Sequence, residues 1–178
     1  MLSFGDAYDD HVWDVYGFLA YRTGNRADAE DLTQLTFERA LRAWNRFDPS
    51  RASVKTWLLT IARNLLVDEH RRTRLAPVRT TLDELGAREP SAEDRYELGL
   101  DPQLAAALAQ LSARDREILA LRFGADLEGA AIAELMDLSL AAVQQALSRT
   151  LRRLRDTLDG ERPGAADAER ADGQQHGA

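Results

Sequence analysis

The chain has 178 residues, 44% of them hydrophobic and 30% charged, with a formal net charge of −7, which is the balance of a globular protein with room for two small domains or one medium one. It has no cysteine, and its three histidines (His11, His70 and His176) are widely separated, so disulfides, thiolate metal sites, thiol nucleophiles and a histidine metal set are excluded. No apolar run approaches the roughly 20 residues of a membrane span, and the opening Met1-Leu2-Ser3-Phe4-Gly5-Asp6 lacks the features of a signal peptide. A cytoplasmic protein with no cofactor, metal or membrane partner is therefore expected.

Apolar spacing is helical nearly throughout, and no hairpin signal or alternating strand pattern occurs. A first helix is expected over Tyr8 to Arg22, with Val12, Val15, Tyr16 and Leu19 on one face, broken by Thr23-Gly24-Asn25. A second runs from Ala27 to Trp44 and stops before Phe47-Asp48-Pro49-Ser50. The third, Val54 to Arg72, would bury Trp57, Leu58, Ile61, Leu65 and Leu66. These three make a first domain over residues 4–74. Residues 75–100, with Pro77, Pro90 and many charges, read as an acidic linker. A second domain over 101–158 opens at Asp101-Pro102, an N-cap followed by proline at the first helical position. Leu104, Leu108 and Leu111 form its inner stripe, and Ser112 to Asp115 starts a capped helix carrying Ile118, Leu119 and Leu121. The tail, 159–178, has a disordered composition. The fold class is thus all-α: two small helical domains, each with its own core, and a linker.

Charge is segregated along this plan. Arg51 to Thr80 holds seven cations against Asp68 and Glu69, a net of +5, and Thr81 to Asp101 reverses to −5. Leu138 to Asp159 is positive again, with four arginines against two aspartates. Two basic islands in an acidic chain suit separate DNA-facing surfaces, although solvated helix faces would look the same.

Within the second domain, Ile132, Ala133 and Leu135 sit on a short helix, and Met136-Asp137-Leu138-Ser139 makes a turn. A longer helix follows, with Leu140, Val143, Leu147, Leu151, Leu154 and Leu158 on one face and Ala141, Ala142, Gln145, Arg149 and Arg152 opposite. That is a helix-turn-helix pattern, whose second helix can reach base edges while its arginines hold phosphates. On the second helix of the chain, Ala29, Leu32, Thr36, Phe37, Ala40, Ala43 and Trp44 gather inward, and Asp31, Gln34, Leu35, Glu38 and Arg42 face out. Leu35 on a polar face marks a candidate partner surface.

Ala29-Glu30-Asp31-Leu32-Thr33-Gln34 followed by Phe37, and Thr56-Trp57-Leu58-Leu59-Thr60-Ile61-Ala62-Arg63-Asn64, resemble region 2 of the extracytoplasmic-function (ECF) sigma factors of bacterial RNA polymerase. Leu111-Ser112-Ala113-Arg114-Asp115-Arg116-Glu117-Ile118-Leu119 resembles the opening of that family's region 4, and the helix-turn-helix lies where region 4 has one. The resemblance spans roughly Phe4 to Leu158. It implies a promoter-recognition subunit, not an enzyme, whose partners are core RNA polymerase, promoter DNA and, in some members, an anti-sigma factor. By the same resemblance, Asp31, Gln34, Leu35 and Glu38 would meet the clamp helices of the polymerase's largest subunit. The loop Phe47 to Val54 would capture a base flipped from the −10 element, with Ser50, Arg51, Lys55, Arg63, Asn64, Arg71 and Arg72 as the −10 DNA set. Trp57 lies in the apolar stripe and reads as core. Ala142, Gln144, Gln145, Ser148, Arg149 and Arg152 would form the −35 DNA set.

The recognition helix departs from the family pattern. Where the family has Gly-Thr-Val-Lys/Arg-Ser-Arg, this chain reads Ala141-Ala142-Val143-Gln144-Gln145-Ala146. Ala142 replaces a phosphate-donating threonine, and Gln144 and Ala146 replace cations on the expected flanks of the outer face. Ala130 and Ala131 stand where an acidic residue usually precedes Ile132. A weakened −35 contact is expected. The alternative from a different class is a sigma mimic that binds an anti-sigma factor without driving transcription. The intact Asp31, Gln34 and Asn64 speak against a decoy. Asp9-Asp10-His11 and Asp68-Glu69-His70 read as exposed helix-end charges, not as metal or acid–base sites.

Overall fold

A computed structural model of the chain describes residues 3–75 and 102–160, and among these it contains seven α-helices, a 3-10 turn, a π-helical turn and no strand. The acidic linker and the tail lie almost wholly outside the described residues, as does the expected cap at Asp101. Helix α1 (Phe4–Thr23) begins four residues earlier than its apolar periodicity suggests. The reason is a capping box: the Asp6 backbone N–H donates to the Ser3 hydroxyl at 3.1 Å, and the Ser3 N–H donates to the Asp6 carboxylate at 3.0 Å. Gly24 ends the helix at φ 64°, a left-handed conformation in which a Cβ would be strained. Helix α2 (Arg26–Ala43) starts at Asn25, whose side chain accepts from the Asp28 N–H at 2.9 Å. A 3-10 turn (Trp44–Arg46) leads to the loop before α3 (Val54–Leu75).

Helix α4 (Pro102–Ala109) and α5 (Ala113–Leu119) open the second half, with Ser112 accepting from the Asp115 N–H at 3.1 Å as the α5 cap. Past Leu119 the chain widens into a π turn (Ala120–Gly124), closed by the Ala125 N–H on the Ala120 carbonyl at 3.0 Å. Helices α6 (Gly129–Met136) and α7 (Leu140–Gly160) meet at a bend of 110°. Asp137 makes that bend by adopting φ 54° directly after α6.

The core departs from the expected plan. Val15, Phe18 and Leu19 of α1 and Leu58 and Leu59 of α3 share one continuous cluster with Ile118, Leu121, Leu127, Ile132 and Val143 of the second half. Only a small cluster of Ala107, Leu111, Leu119 and Leu154 belongs to the second half alone. So few residues cannot bury enough apolar surface by themselves, and α1 packs on the π turn as extensively as it packs on α2. Gly17 and Gly124 allow this approach. A Cβ on Gly124 would lie 2.6 Å from the Gly17 carbonyl oxygen, and a Cβ on Gly17 would strike the Gly124 carbonyl.

Candidate functional site

Three surfaces carry the candidate residues. On α2, Ala29, Leu32, Thr36, Phe37 and Ala40 are buried, which turns Asp31, Gln34, Leu35, Glu38 and Arg42 outward. Arg42 donates to the Glu38 carboxylate at 2.5 Å one turn away, so Glu38 is already paired along the face. Asp31, Gln34 and Leu35 stand together as an exposed polar and apolar patch. Thr33 and Thr36 point inward and satisfy their hydroxyls on the Ala29 and Leu32 carbonyls at 2.6 and 2.7 Å. Two threonines therefore sit in a core face at no hydrogen-bonding cost.

The loop between the 3-10 turn and α3 is held from both sides. Trp44 stacks on Phe47 at 5.4 Å, and Trp57 of α3 tilts against both at 5.9 and 5.0 Å. Trp57 is half-buried and packs on the core, so it anchors the loop's base. Inside the loop, the Ser50 hydroxyl and N–H both donate to one Asp48 carboxylate oxygen, at 2.7 and 2.9 Å. These two bonds, the hydroxyl first, hold the Asp48 carboxyl below the ordinary carboxylate range. Ser50 is thus spent on shaping the turn, and Asp48 is a shaping residue that sequence reasoning passed over. Arg51 and Asn64 are exposed. Of Arg71 and Arg72 the helical backbone is described and the side chains lie outside the described residues.

Lys55 and Arg63, both assigned to the −10 set, are placed elsewhere than a free DNA face. Lys55 pairs with Asp14 at 3.0 Å and donates to the Ala125 carbonyl at 3.0 Å. Arg63 donates through Nε to Glu117 at 2.5 Å and through Nη1 to the Leu135 carbonyl at 2.7 Å. Arg22 reaches the same seam and donates to the Ala113 carbonyl at 3.3 Å. Burial, chiefly, lowers the Arg22 pKa from its ordinary value; Glu117 opposes the shift, and Arg116 and Arg63 add to it. Arg63 and Arg22 therefore both feel the Glu117 carboxylate, while Arg116 donates to the Ala109 and Leu111 carbonyls at 3.0 and 3.2 Å. His11, expected among exposed charges, is half-buried and lies 3.2 Å from Asp14. No group of three metal-ligating side chains occurs among the described residues.

On α7 the buried face is rotated from the one the leucines suggest. Val143, Ala146, Thr150 and Leu154 are buried, whereas Leu140 and Leu151 are 43% and 40% exposed. The helix packs at once on α4, α5 and α6, and small side chains at 146 and 150 permit that approach. Ala146 is 5% exposed and so lies in the core, not on the flank of the outer face. Ala142 is half-buried, and its N–H is taken by the Ser139 hydroxyl at 3.1 Å. Gln144, Gln145, Ser148, Arg149 and Arg152 are exposed on one side, extended by Arg153 and Arg155. Arg149 lies 3.5 Å from the buried carboxylate of Asp115, which orients it from α5.

One missed feature had a sequence signal. Gly17 weakens the helix it sits in, and glycine is the residue that permits a close approach of backbone to backbone. The pairing of Glu117 with Arg63, 54 positions apart, had none.

Comparison with known proteins gives the family and the fold. Sigma-70 region 2 matches residues 7–75 and sigma-70 region 4 matches residues 107–156. The ECF RNA polymerase sigma factor BldN of Streptomyces coelicolor is 36% identical over 155 residues, which cover 85% of this chain and 59% of BldN. The ECF RNA polymerase sigma factor SigL of Mycobacterium tuberculosis is 34% identical over 155 residues, covering 85% of this chain and 86% of SigL. Among solved structures, the sigma factor RpoE in complex with the anti-sigma factor NepR from Bartonella quintana has a TM-score of 0.64 at 22% identity, covering 89% of this chain and 98% of that one. CnrH in complex with the cytosolic domain of CnrY has a TM-score of 0.64 at 25% identity, covering 89% of each chain.

Proposed function

Because this chain belongs to the ECF RNA polymerase sigma factors, we propose that it binds core polymerase through the outer face of α2 and directs promoter recognition and opening of the −10 element. The exposed patch of Asp31, Gln34 and Leu35 fits the clamp helices of the largest subunit. The observation that carries the reading is the loop of residues 47–53, braced by Trp44, Phe47 and Trp57 and shaped by Asp48; the amide of Asn64, further along α3, is exposed. A flipped base needs amide donors and acceptors to meet it, and nearby cations to hold the displaced strand. Opening then draws on binding free energy, without nucleotide hydrolysis.

The second surface reads duplex DNA weakly. The outer side of α7 offers Gln144, Gln145, Ser148, Arg149 and Arg152, with no hydroxyl at 142 and no cation at 144. An anti-sigma factor is a candidate partner, since the structural relative RpoE of Bartonella quintana is a sigma factor in complex with the anti-sigma factor NepR.

Transcription in vitro with core polymerase on a genomic fragment library tests this reading. Discrete start sites sharing a −10 element are expected. Asn64→Ala should relax preference at one −10 position, while Arg72→Ala should weaken all promoters evenly, the difference between a base-edge contact and a phosphate contact. An absence of chain-dependent start sites would overturn the proposal.

A further inference from the structure

We propose that Phe4, in the first turn of α1, is a positioning residue for base capture: it seats the loop of residues 47–53 through Trp44, without itself meeting DNA. This rests on the reading above that the loop receives a base of the −10 element. A relay of rings joins the two distant places. Trp44 opens the 3-10 turn, and Phe47, the first residue of the loop, stacks on it at 5.4 Å and an interplanar angle of 16°. Phe4 meets the same indole edge-on, at 5.4 Å and 81°. Trp57 of α3 secures the far side of the loop, at 5.9 Å from Trp44 and 5.0 Å from Phe47. Phe4 is thus the ring that ties the entering side of the loop to α1.

The placement of Phe4 is itself fixed from two directions. Phe4 is the first residue of α1 and half-buried, and the capping box of Ser3 and Asp6 closes the turn that carries it. Helix ends otherwise fray, so this cap keeps the ring at a stated height against its neighbours. The ring also packs edge-on against Phe37 of α2 at 6.3 Å, leaning on a buried residue on one side and on Trp44 on the other. Tyr8, one turn on, touches Phe37 at 4.8 Å but makes no ring contact with Trp44 among the described residues. Both residues pack α1 on α2, and of the two only Phe4 extends to the ring that seats the loop.

That difference separates positioning from packing. Phe4→Leu keeps apolar bulk at the first turn and removes the ring edge that meets Trp44. An edge-to-face contact of this kind shifts a two-state loop by up to about 10-fold. Tyr8→Leu removes a comparable ring from the same helix pair and leaves Trp44 untouched. Ser3→Ala touches neither ring and loosens the turn that carries Phe4.

The test uses the full chain with core polymerase on a promoter from the fragment library, with a single abasic site moved one position at a time through one strand of the −10 element. For the parent chain, one abasic position should cost more affinity than its neighbours, because a captured base is missing there. Phe4→Leu should bind the intact promoter up to about 10-fold more weakly. It should also shrink the cost of that one abasic position by the same factor and leave the neighbouring positions as they were, the non-additivity of a shared interaction. Phe4→Tyr should restore the parent profile, and Ser3→Ala should move it in the same direction as Phe4→Leu by less. Tyr8→Leu should leave it unchanged. An unaltered profile in Phe4→Leu, an equal loss at every position, or the same change from Tyr8→Leu would overturn the positioning role alone. A parent chain that transcribes but shows no sensitive position would instead remove base capture by the loop, and this role with it.

Discussion

Asp31 and Gln34 are exposed and lack a hydrogen-bonding role in the packing of α2, so their truncation separates binding from folding. Asp31→Ala with Gln34→Ala should weaken association with core polymerase while changing stability by less than about 0.5 kcal/mol each. Unchanged affinity, measured by titration against core polymerase, would remove this face from the contact. Asp48 allows a second test at the same scale. Its carboxyl is held low by the Ser50 hydroxyl and then the Ser50 N–H. A folded pKa below the unfolded value of about 3.9 means that the bond's contribution is present above that pH and is lost as pH falls through the folded pKa. Carbon-detected NMR titration should find Asp48 ionising below an ordinary aspartate, and Ser50→Ala should move it back towards that value. The loop of residues 47–53 would then loosen in acid or on substitution.

Helix positions were legible where the pattern was strong, and less so where small residues decide the packing. The five outward residues of α2 follow from one apolar stripe, because Leu32 and Phe37 leave a single way to bury that helix. On α7 leucines recur on more than one face, and hydrophobicity alone selected Leu140 and Leu151 over Ala146 and Thr150. Three neighbouring helices pack on α7 and favour small side chains at the contact, which a one-helix wheel cannot register. The consequence is measurable. Gln144→Arg, on an exposed position, should tighten duplex binding and steepen the logarithmic salt dependence by about one unit. Ala146→Arg should instead destabilise the fold by on the order of 3 kcal/mol, by placing an unpaired charge in a filled core. Equal tolerance of the two changes in thermal denaturation would contradict the observed orientation of α7.

The two-part organisation was readable from periodicity and charge; the way the parts sit together was not. Nothing local in Phe18, Leu121 or Ile132 says that they share a core, and the seam's ion pair joins residues 54 positions apart. The candidate −10 set divides for the same reason. Its loop members remain at the surface, and Lys55 and Arg63 are drawn into the seam. The roles proposed for the α2 face, the 47–53 loop and the helix-turn-helix meet in one activity, opening DNA together with core polymerase. Permanganate reactivity of promoter thymines measures that directly. On a promoter drawn from the fragment library, thymines of the −10 element should become reactive when both chain and core polymerase are present, and with neither alone. Reactivity that is the same with and without the chain, at core concentrations where the chain is bound, would contradict the account.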